Sequence, residues 1–330
     1  MRNSMNSIGG MGKVIALLMF RNEEANIPTF MRNVLPFVDE ILGYDDNSTD
    51  ESASLFLKNG GTLIQFTPTA VWANGGENQI RQALLREGRR QGGQFFIVLD
   101  CDESFSSGFL DYFENYLQMM QSGQSLQLKW INLWGSKEKF CSANSVWQPS
   151  FREFVFRDHP ALVYGTGGLH SFGRAPKGVN DFGSLNVSED EGVVLHAQFI
   201  NWERVQLKQV WYRLQEWLHT TQSMYAINKK YRITLEQNVE TLPLPPHWQP
   251  NLDFQNPDIL DKNWHLAEIQ AIIDEYGVES FKKLDIWTSE IMANIWRQYS
   301  TGTPRPSRWM GVREFSGFCL WYLKKMGNRK

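Results

Sequence analysis

Residues 95–104 read FFIVLDCDES, an apolar run that stops abruptly at acids. The uncharged stretch from Gln94 to Leu99 suits a strand buried on both faces, as in a parallel sheet. Beyond it, alternate residues of an extended chain point the same way. Asp100 and Asp102 then share one side while Cys101 faces the other. Two hard oxygen ligands suit Mg²⁺ or Mn²⁺, which keep positions open for water and substrate phosphates. Taken alone, the pair serves equally well as the cap of a helix beginning near Ser106.

Upstream, apolar runs alternate with amphipathic ones. Lys13 to Phe20 predicts a first buried strand and Glu23 to Pro36 a helix with apolar spacing at Ile27, Phe30, Met31, Val34 and Leu35. Val38 to Tyr44 predicts a second strand, and a helix starts near Ser48 and ends at Gly60-Gly61. Thr62 to Phe66 is the expected third strand, and Glu77 to Gln91 a helix closed by Gly92-Gly93. Such alternation implies parallel strands joined by right-handed crossovers, with ligands bound beyond the carboxyl ends of the strands. Three polar clusters fall at strand ends: Arg21-Asn22-Glu23-Glu24, Asp45-Asp46-Asn47-Ser48 and Asp100-Cys101-Asp102-Glu103. In the first, a helix start favours anions and Arg21 adds charge. In the second, the residues divide between Asp46 as ligand and Ser48 as cap.

After residue 120 the rhythm changes. Leu126 to Trp134 and Phe151 to Tyr164 read as strands around a glycine-rich loop, Gly165 to Leu185. Glu203 to Tyr231 predicts one long helix. A proline-rich connector (Leu242 to Pro246) leads to helices over Trp264 to Tyr276 and Val278 to Tyr299. The expected domains are 1–235, in two halves over 13–120 and 121–235, and a helical extension over 236–330.

Composition narrows the function. Of 330 residues, 42% are hydrophobic and the formal net charge is -3, so no bulk basic field exists for nucleic acid. No stretch approaches the roughly 20 apolar residues that span a bilayer, and no small-residue cleavage site follows the Val14–Phe20 run. Three cysteines without metal-ligand spacing read as free thiols of a reducing cytosol, so a cytoplasmic location is expected. The basic end of Phe315 to Lys325 allows contact with the inner face of a membrane. Thirteen tryptophans are either core or stacking surfaces for sugars. Trp202, Trp211, Trp217 and the stretch Phe151 to Phe156 are the candidates for such an acceptor wall.

The runs VIALLMFRNEEANI, VDEILGYDDNSTDES and FFIVLDCDES together resemble the nucleotide-binding half of the family 2 glycosyltransferases of the GT-A fold. That family carries an N-E-E-type turn, a D-D-x-S-x-D turn and a D-x-D(-E) strand end in this order. The resemblance covers about the first 120 residues. It implies an α/β GT-A fold, with a Rossmann-like, mostly parallel sheet, helices on both faces and a helical C-terminal extension. It also implies a hexosyl transfer from a nucleotide-diphosphate sugar, using Mn²⁺ or Mg²⁺ and inverting the sugar, to a saccharide or lipid-linked acceptor. Asp46, with Asp45 beside it, would face the nucleobase, Glu23 or Glu24 the nucleoside, and Asp100 with Asp102 the ribose and metal-diphosphate. Arg81 would reach the diphosphate.

Farther on, Val193-Val194-Leu195-His196 followed by Lys208 and Arg213 is similar to a later stretch of bacterial members. By that likeness His196 joins Asp100 and Asp102 on the metal, while Lys208 and Arg213 neutralise the diphosphate. A direct displacement needs a carboxylate to take the acceptor proton. The dense acidic run Ser188 to Glu191 offers Asp190, with Glu191 beside it. Some relatives carry a His-Glu pair in the preceding loop, where this chain has His170-Ser171. Two further readings stand: a metal-dependent nucleotidyltransferase, which should carry a glycine-rich basic loop after the first strand, and a non-catalytic nucleotide-sugar-binding protein.

Overall fold

A computed structural model describes residues 12–70, 75–165, 174–234, 239–248 and 264–305. The His170-Ser171 pair and the segment 315–325 lie outside them. The chain forms two compact units, one of residues 1–202 with 238–259, the other of residues 203–237 with 260–330.

The first unit is built on β1 (Lys13–Phe20), β2 (Glu40–Asp45), β3 (Thr62–Leu63) and β4 (Gly93–Ile97). Between them lie α1 (Ile27–Val34), α2 (Ser52–Lys58) and α3 (Gly76–Arg90). After Lys13, strand β1 is apolar to its end because both its faces are covered. Val14, Ala16, Leu18 and Phe20 enter one core with Phe30 and Met31 of α1, while Ile15 and Leu17 enter another with Ile80, Leu84 and Leu85 of α3. Helices therefore cover both faces of the sheet, as expected. Helix α1 starts late because Asn26 and Ile27 donate back to the Glu23 carbonyl in a turn. It gives way to a 3-10 turn over Leu35–Phe37, where Pro36 has no N–H to donate.

The sheet then becomes mixed. After β4 come β5 (Glu103–Phe105), α4 (Leu110–Met119), β6 (Ser125–Trp134), β7 (Lys139–Ala143) and β8 (Ser150–Arg157). Short β9 (Ser184–Asn186), β10 (Val193–Phe199) and β11 (Glu240–Pro243) complete it, in the order β11-β7-β6-β8-β4-β1-β2-β3. Strands β1 to β4 are parallel, whereas β8 enters antiparallel to both β4 and β6. Strand β10 lies parallel to β6. Two reversals cancel, so β1, β2, β4, β6 and β10 all run the same way and end on one edge.

Several sequence expectations change. The expected strand Thr62 to Phe66 shortens to two residues. The strand beginning near Phe151 stops at Arg157, where Asp158 is instead fixed by Arg89 at 2.8 Å. The proline-rich connector contributes β11, an edge strand on which Pro243 is tolerated. The single helix from Glu203 is two, α5 (Trp202–His219) and α6 (Met224–Thr234). Its break follows Thr220, whose hydroxyl donates back to the Glu216 carbonyl at 2.6 Å.

In the second unit α5 and α6 share a buried polar centre. Glu216 is fully buried, pairs with Lys230 and accepts from the Tyr231 hydroxyl at 2.6 Å. Helix α7 (Trp264–Tyr276) packs through Ile269 and Ile273, and α8 (Glu290–Tyr299) is capped by Ser289. Trp211 is buried and donates to Glu268 at 2.7 Å, while Phe154 and Phe156 are core residues of the first unit. These three members of the expected acceptor wall serve packing instead. Among the described residues, no helix is long and apolar enough to cross a membrane. Cys101 and Cys141 are free, buried thiols.

One glycine measures how tightly α2 is laid down. A Cβ on Gly43 of β2 would stand 2.5 Å from the Phe56 ring. Gly43→Val should therefore cost about 1–3 kcal/mol through overpacking, read as a lowered denaturant midpoint.

Candidate active site

The ends of β1 and β2 are stitched together before any ligand is considered. Asn22 takes a positive φ of 52°, and its N–H donates to Ser48 Oγ at 2.9 Å. The Asn22 side chain returns the contact, accepting from the Thr49 N–H at 2.7 Å. The Glu23 N–H donates to Ser52 Oγ at 2.6 Å, and Glu24 accepts from the Glu51 N–H at 3.1 Å. Asp50, two residues before α2 begins, accepts from the Ser52 N–H at 3.0 Å. Asp45 accepts from the Ser48 N–H at 3.1 Å. Ser48, predicted as a helix cap, instead joins the two turns, and Glu51 occupies the cap position of α2. Glu23 also accepts from Asn26 Nδ2 at 2.6 Å. Glu23, Glu24 and Asp45 accordingly hold the turns in place, and Asp46, hydrogen-bonded through its N–H to the Phe20 carbonyl, sits on the same edge. Arg21 follows the last residue of β1 there.

The acidic strand end lies on this edge too, but its carboxylates have separate fates. Asp100 is bound by Arg174 at 2.6 Å and approached by Arg81 at 3.7 Å. Burial works against its ionisation. Arg174 and then Arg81 outweigh that effect, so its carboxyl lies below the ordinary value. Arg81 is itself buried and held by Glu77 at 2.9 Å. Glu103 is fully buried and accepts from the Asp100 N–H at 2.9 Å, Trp130 Nε1 at 2.6 Å and Arg174 Nη2 at 2.7 Å. Burial pushes its carboxyl up to about 7, with Arg174 pulling the other way.

Asp102 meets His196. The antiparallel pairing of β5 with β10 sets His196 opposite Glu103, and the Ala197 N–H donates to the Asp102 carbonyl at 2.8 Å. His196 is 4% exposed, stacks on Trp130 with ring centres 4.7 Å apart, and faces Asp102 Oδ2 through Nε2 at 3.4 Å. Its other nitrogen is held in place. Asn132 Nδ2 donates to the Trp147 carbonyl at 2.9 Å, which turns Asn132 Oδ1 toward His196 Nδ1 at 2.7 Å. Nδ1 then donates to Asn132 Oδ1 and Nε2 faces the carboxylate, so either a proton on Nε2 or a cation shared by the two groups satisfies the pair.

A divalent cation would be one such shared ion. Carboxylate with imidazole is a suitable donor pair, and the histidine has the outer hydrogen bond that orients metal-bound imidazoles. Asp100, the third expected ligand, is held by Arg174. Accordingly, among the described residues no three His, Cys, Asp or Glu side chains converge on one ion position. Arg174 was invisible in the sequence because it lies in a glycine-rich loop with no periodicity to mark it.

Other expected residues lie elsewhere. Asp190 and Glu191 precede β10, on the side away from the strand ends. Three strand residues separate that point from His196, about 10 Å at 3.3 Å each. Glu191 accepts from the Tyr116 hydroxyl, Glu189 pairs with Lys129, and Asp190 is 95% exposed with His247 at 4.0 Å. The acidic run thus serves the opposite end of the strand, and neither residue joins the Asp102–His196 pair. In the second unit Lys208 lies over the Tyr212 ring at 6.0 Å. Arg213 is 3% exposed, donates to the Asp285 carbonyl and lies over Tyr231 at 5.5 Å. Burial pushes its guanidinium down to about 10. Its contacts are those of a packing residue.

No protein-family model and no curated protein matches the chain. Solved structures do. The chain is similar to glucosyl-3-phosphoglycerate synthase from Mycobacterium tuberculosis, in a complex with Mn²⁺ and UDP-glucose, at 20% identity and a TM-score of 0.27. That match covers 37% of this chain and 44% of the other. A complex of the synthase with Mn²⁺, UDP and phosphoglyceric acid gives 19% identity, a TM-score of 0.26 and 37% and 43% coverage. A further mycobacterial protein matches at 16% identity and a TM-score of 0.27, over 37% and 42% of the two chains. The chain thus spans less than half the length of these structures. Its fold is established by its own strand order.

Two substitutions separate the roles assigned above. Asn132→Ala should weaken Mn²⁺ binding about 10- to 100-fold by freeing the imidazole, measured by calorimetry. Arg213→Met should lower stability by about 1–3 kcal/mol by leaving a buried carbonyl without its donor, read from thermal unfolding.

Proposed function

We propose that this protein is a metal-dependent glycosyltransferase that uses a nucleotide-diphosphate sugar. The observation that carries the reading is the Asp102–His196 pair at the carboxyl ends of parallel strands, 3.4 Å apart with His196 Nδ1 held 2.7 Å from Asn132 Oδ1. Ligands of such sheets bind at that edge, and the turns holding Asp45, Asp46, Glu23 and Glu24 border it. On this reading Asp46 receives the base or ribose. Arg81 contributes positive charge behind the donor, and Asp102 with His196 forms the protein's share of a divalent-ion site. When bound, the ion would neutralise the departing diphosphate. His196, held by Asn132 and stacked on Trp130, is already in place to meet that ion, which is how a preorganised site lowers a barrier.

The inverting course and the saccharide or lipid-linked acceptor belong to the same proposal. They rest on the D-D-x-S-x-D and D-x-D-E turns and their order along the chain. The β1–α1 turn, with Arg21-Asn22-Glu23-Glu24 in place of glycines, weighs against a nucleotidyltransferase, which needs a backbone cradle for triphosphate.

Uridine, guanosine and thymidine diphosphate sugars, titrated with and without Mn²⁺, provide the test. One of them should bind in a metal-dependent way and be slowly hydrolysed. Asp102→Asn should weaken that binding by more than about 100-fold, at least the worth of an outer-shell partner. If no sugar nucleotide binds, or Asp102→Asn binds as the wild type does, the reading falls.

A further inference from the structure

Strand β6 delivers Trp130, Asn132 and Trp134 to one face in succession, because alternate residues of a strand point the same way. Opposite them β10 slips its register. Asn132 pairs with His196 but Trp134 with Phe199, so two steps along β6 meet three along β10. In a regular strand, residues three apart face opposite sides. The slip instead brings Phe199 to the side of His196, with ring centres 6.3 Å apart, and stacks it on Trp134 at 4.6 Å. Further rings continue outward from there. Trp147 stands 6.1 Å from Trp130 and 4.8 Å from Phe199, and Trp202 stands 5.7 Å from Trp134.

These outer indoles differ from the tryptophans of the core. Among the described residues five tryptophans are buried, and each donates its Nε1–H: Trp130 to Glu103, Trp211 to Glu268, the others to main-chain carbonyls. Trp134, Trp147 and Trp202 are only half-buried. Trp202 Nε1 also has no acceptor among the described residues. Packing alone explains neither the faces left in water nor the unmet donor.

We propose that Trp134, Trp147 and Trp202 form the acceptor subsite, a stacking platform for an uncharged pyranose ring. The inference rests on the transferase reading above and deepens it, naming the residues that hold the acceptor and the chemistry they select. Axial C–H bonds give a pyranose a weakly positive face, and the face of an indole is negative. The ring's hydroxyls supply acceptors for an indole N–H, which an alkyl chain lying on the same rings would not. The platform is also rigid. Asn132 Nδ2 holds the Trp147 carbonyl at 2.9 Å, and Phe199, with no exposure, is wedged between Trp134 and Trp147. Side chains so fixed lose little freedom when a ligand settles on them.

Saturation-transfer NMR on the full chain without donor tests this, with methyl β-glucopyranoside and methyl α-mannopyranoside as ring probes. Octyl β-glucoside presents the same ring on an alkyl chain. Transfer should reach the ring C–H protons of at least one probe. Trp147→Leu, which keeps apolar bulk and removes the flat face, should raise the dissociation constant about tenfold. Trp134→Leu should do the same, and it serves if Trp147→Leu does not fold. Ring transfer with tighter binding of the octyl glycoside identifies a lipid-linked sugar, and equal binding of the two glucosides a free saccharide. Transfer confined to the octyl chain overturns the inference, as does glycoside binding that neither substitution weakens. Binding of a sugar nucleotide with no binding of any glycoside overturns it alone. Glycoside binding that depends on Trp147, with no sugar nucleotide bound, leaves the stacking platform standing and overturns the transferase reading.

Discussion

The site depends on the register between β5 and β10. His196 stands 94 positions after Asp102, and only strand pairing brings them together. The Ala197 N–H to Asp102 carbonyl bond and the pairing of His196 with Glu103 fix that meeting. A slip by one residue would turn His196 to the other face of its strand. Val194 would lose its place in one core and Val193 and Leu195 theirs in another. The packing of these three apolar residues therefore guards the position of one imidazole. Trp130 joins the two tasks, stacking on His196 while donating its indole N–H to Glu103.

Much of this was legible in the sequence, for identifiable reasons. Strand β1 covers the predicted span Lys13 to Phe20, because a run buried on both faces has no polar residue to blur its ends. Helix α7 likewise spans Trp264 to Tyr276 as read. The three polar turns were placed on one edge from alternation alone. What sequence could not give were contacts made by distant residues. Arg174 has no pattern around it, yet it decides what Asp100 does. Asp190 looked chemical because acids are dense there, but density says nothing about which end of a strand they occupy. Arg213 carried the charge wanted at a diphosphate, and only its burial against Tyr231 and the Asp285 carbonyl shows its use in packing.

The same comparison explains the turns. Glu23, Glu24 and Asp45 read as ligand residues because their turns resemble the N-E-E and D-D-x-S-x-D turns of a nucleotide-sugar-binding family. In the structure each accepts a hydrogen bond from the facing or following turn. Such roles are compatible with a donor site, since a carboxylate has several lone pairs and a rigid rim positions the remaining ones. They do mean that loss of any one acid would disturb its neighbours as well as any ligand.

The two ends of the sheet bear on how the molecule avoids its own kind. At one end β3 contributes only Thr62 and Leu63, too short a rail for another chain to dock upon. At the other, β11 closes on Pro243, whose nitrogen has no hydrogen to offer, and Pro245 and Pro246 follow at once. An eight-strand path of largely apolar β-structure would otherwise expose two ribbons of unpaired backbone to every passing copy. The shortest strand and the proline-ended one are thus the sheet's guards against fibril-like growth, and they leave its interior strands free to be as apolar as the site requires.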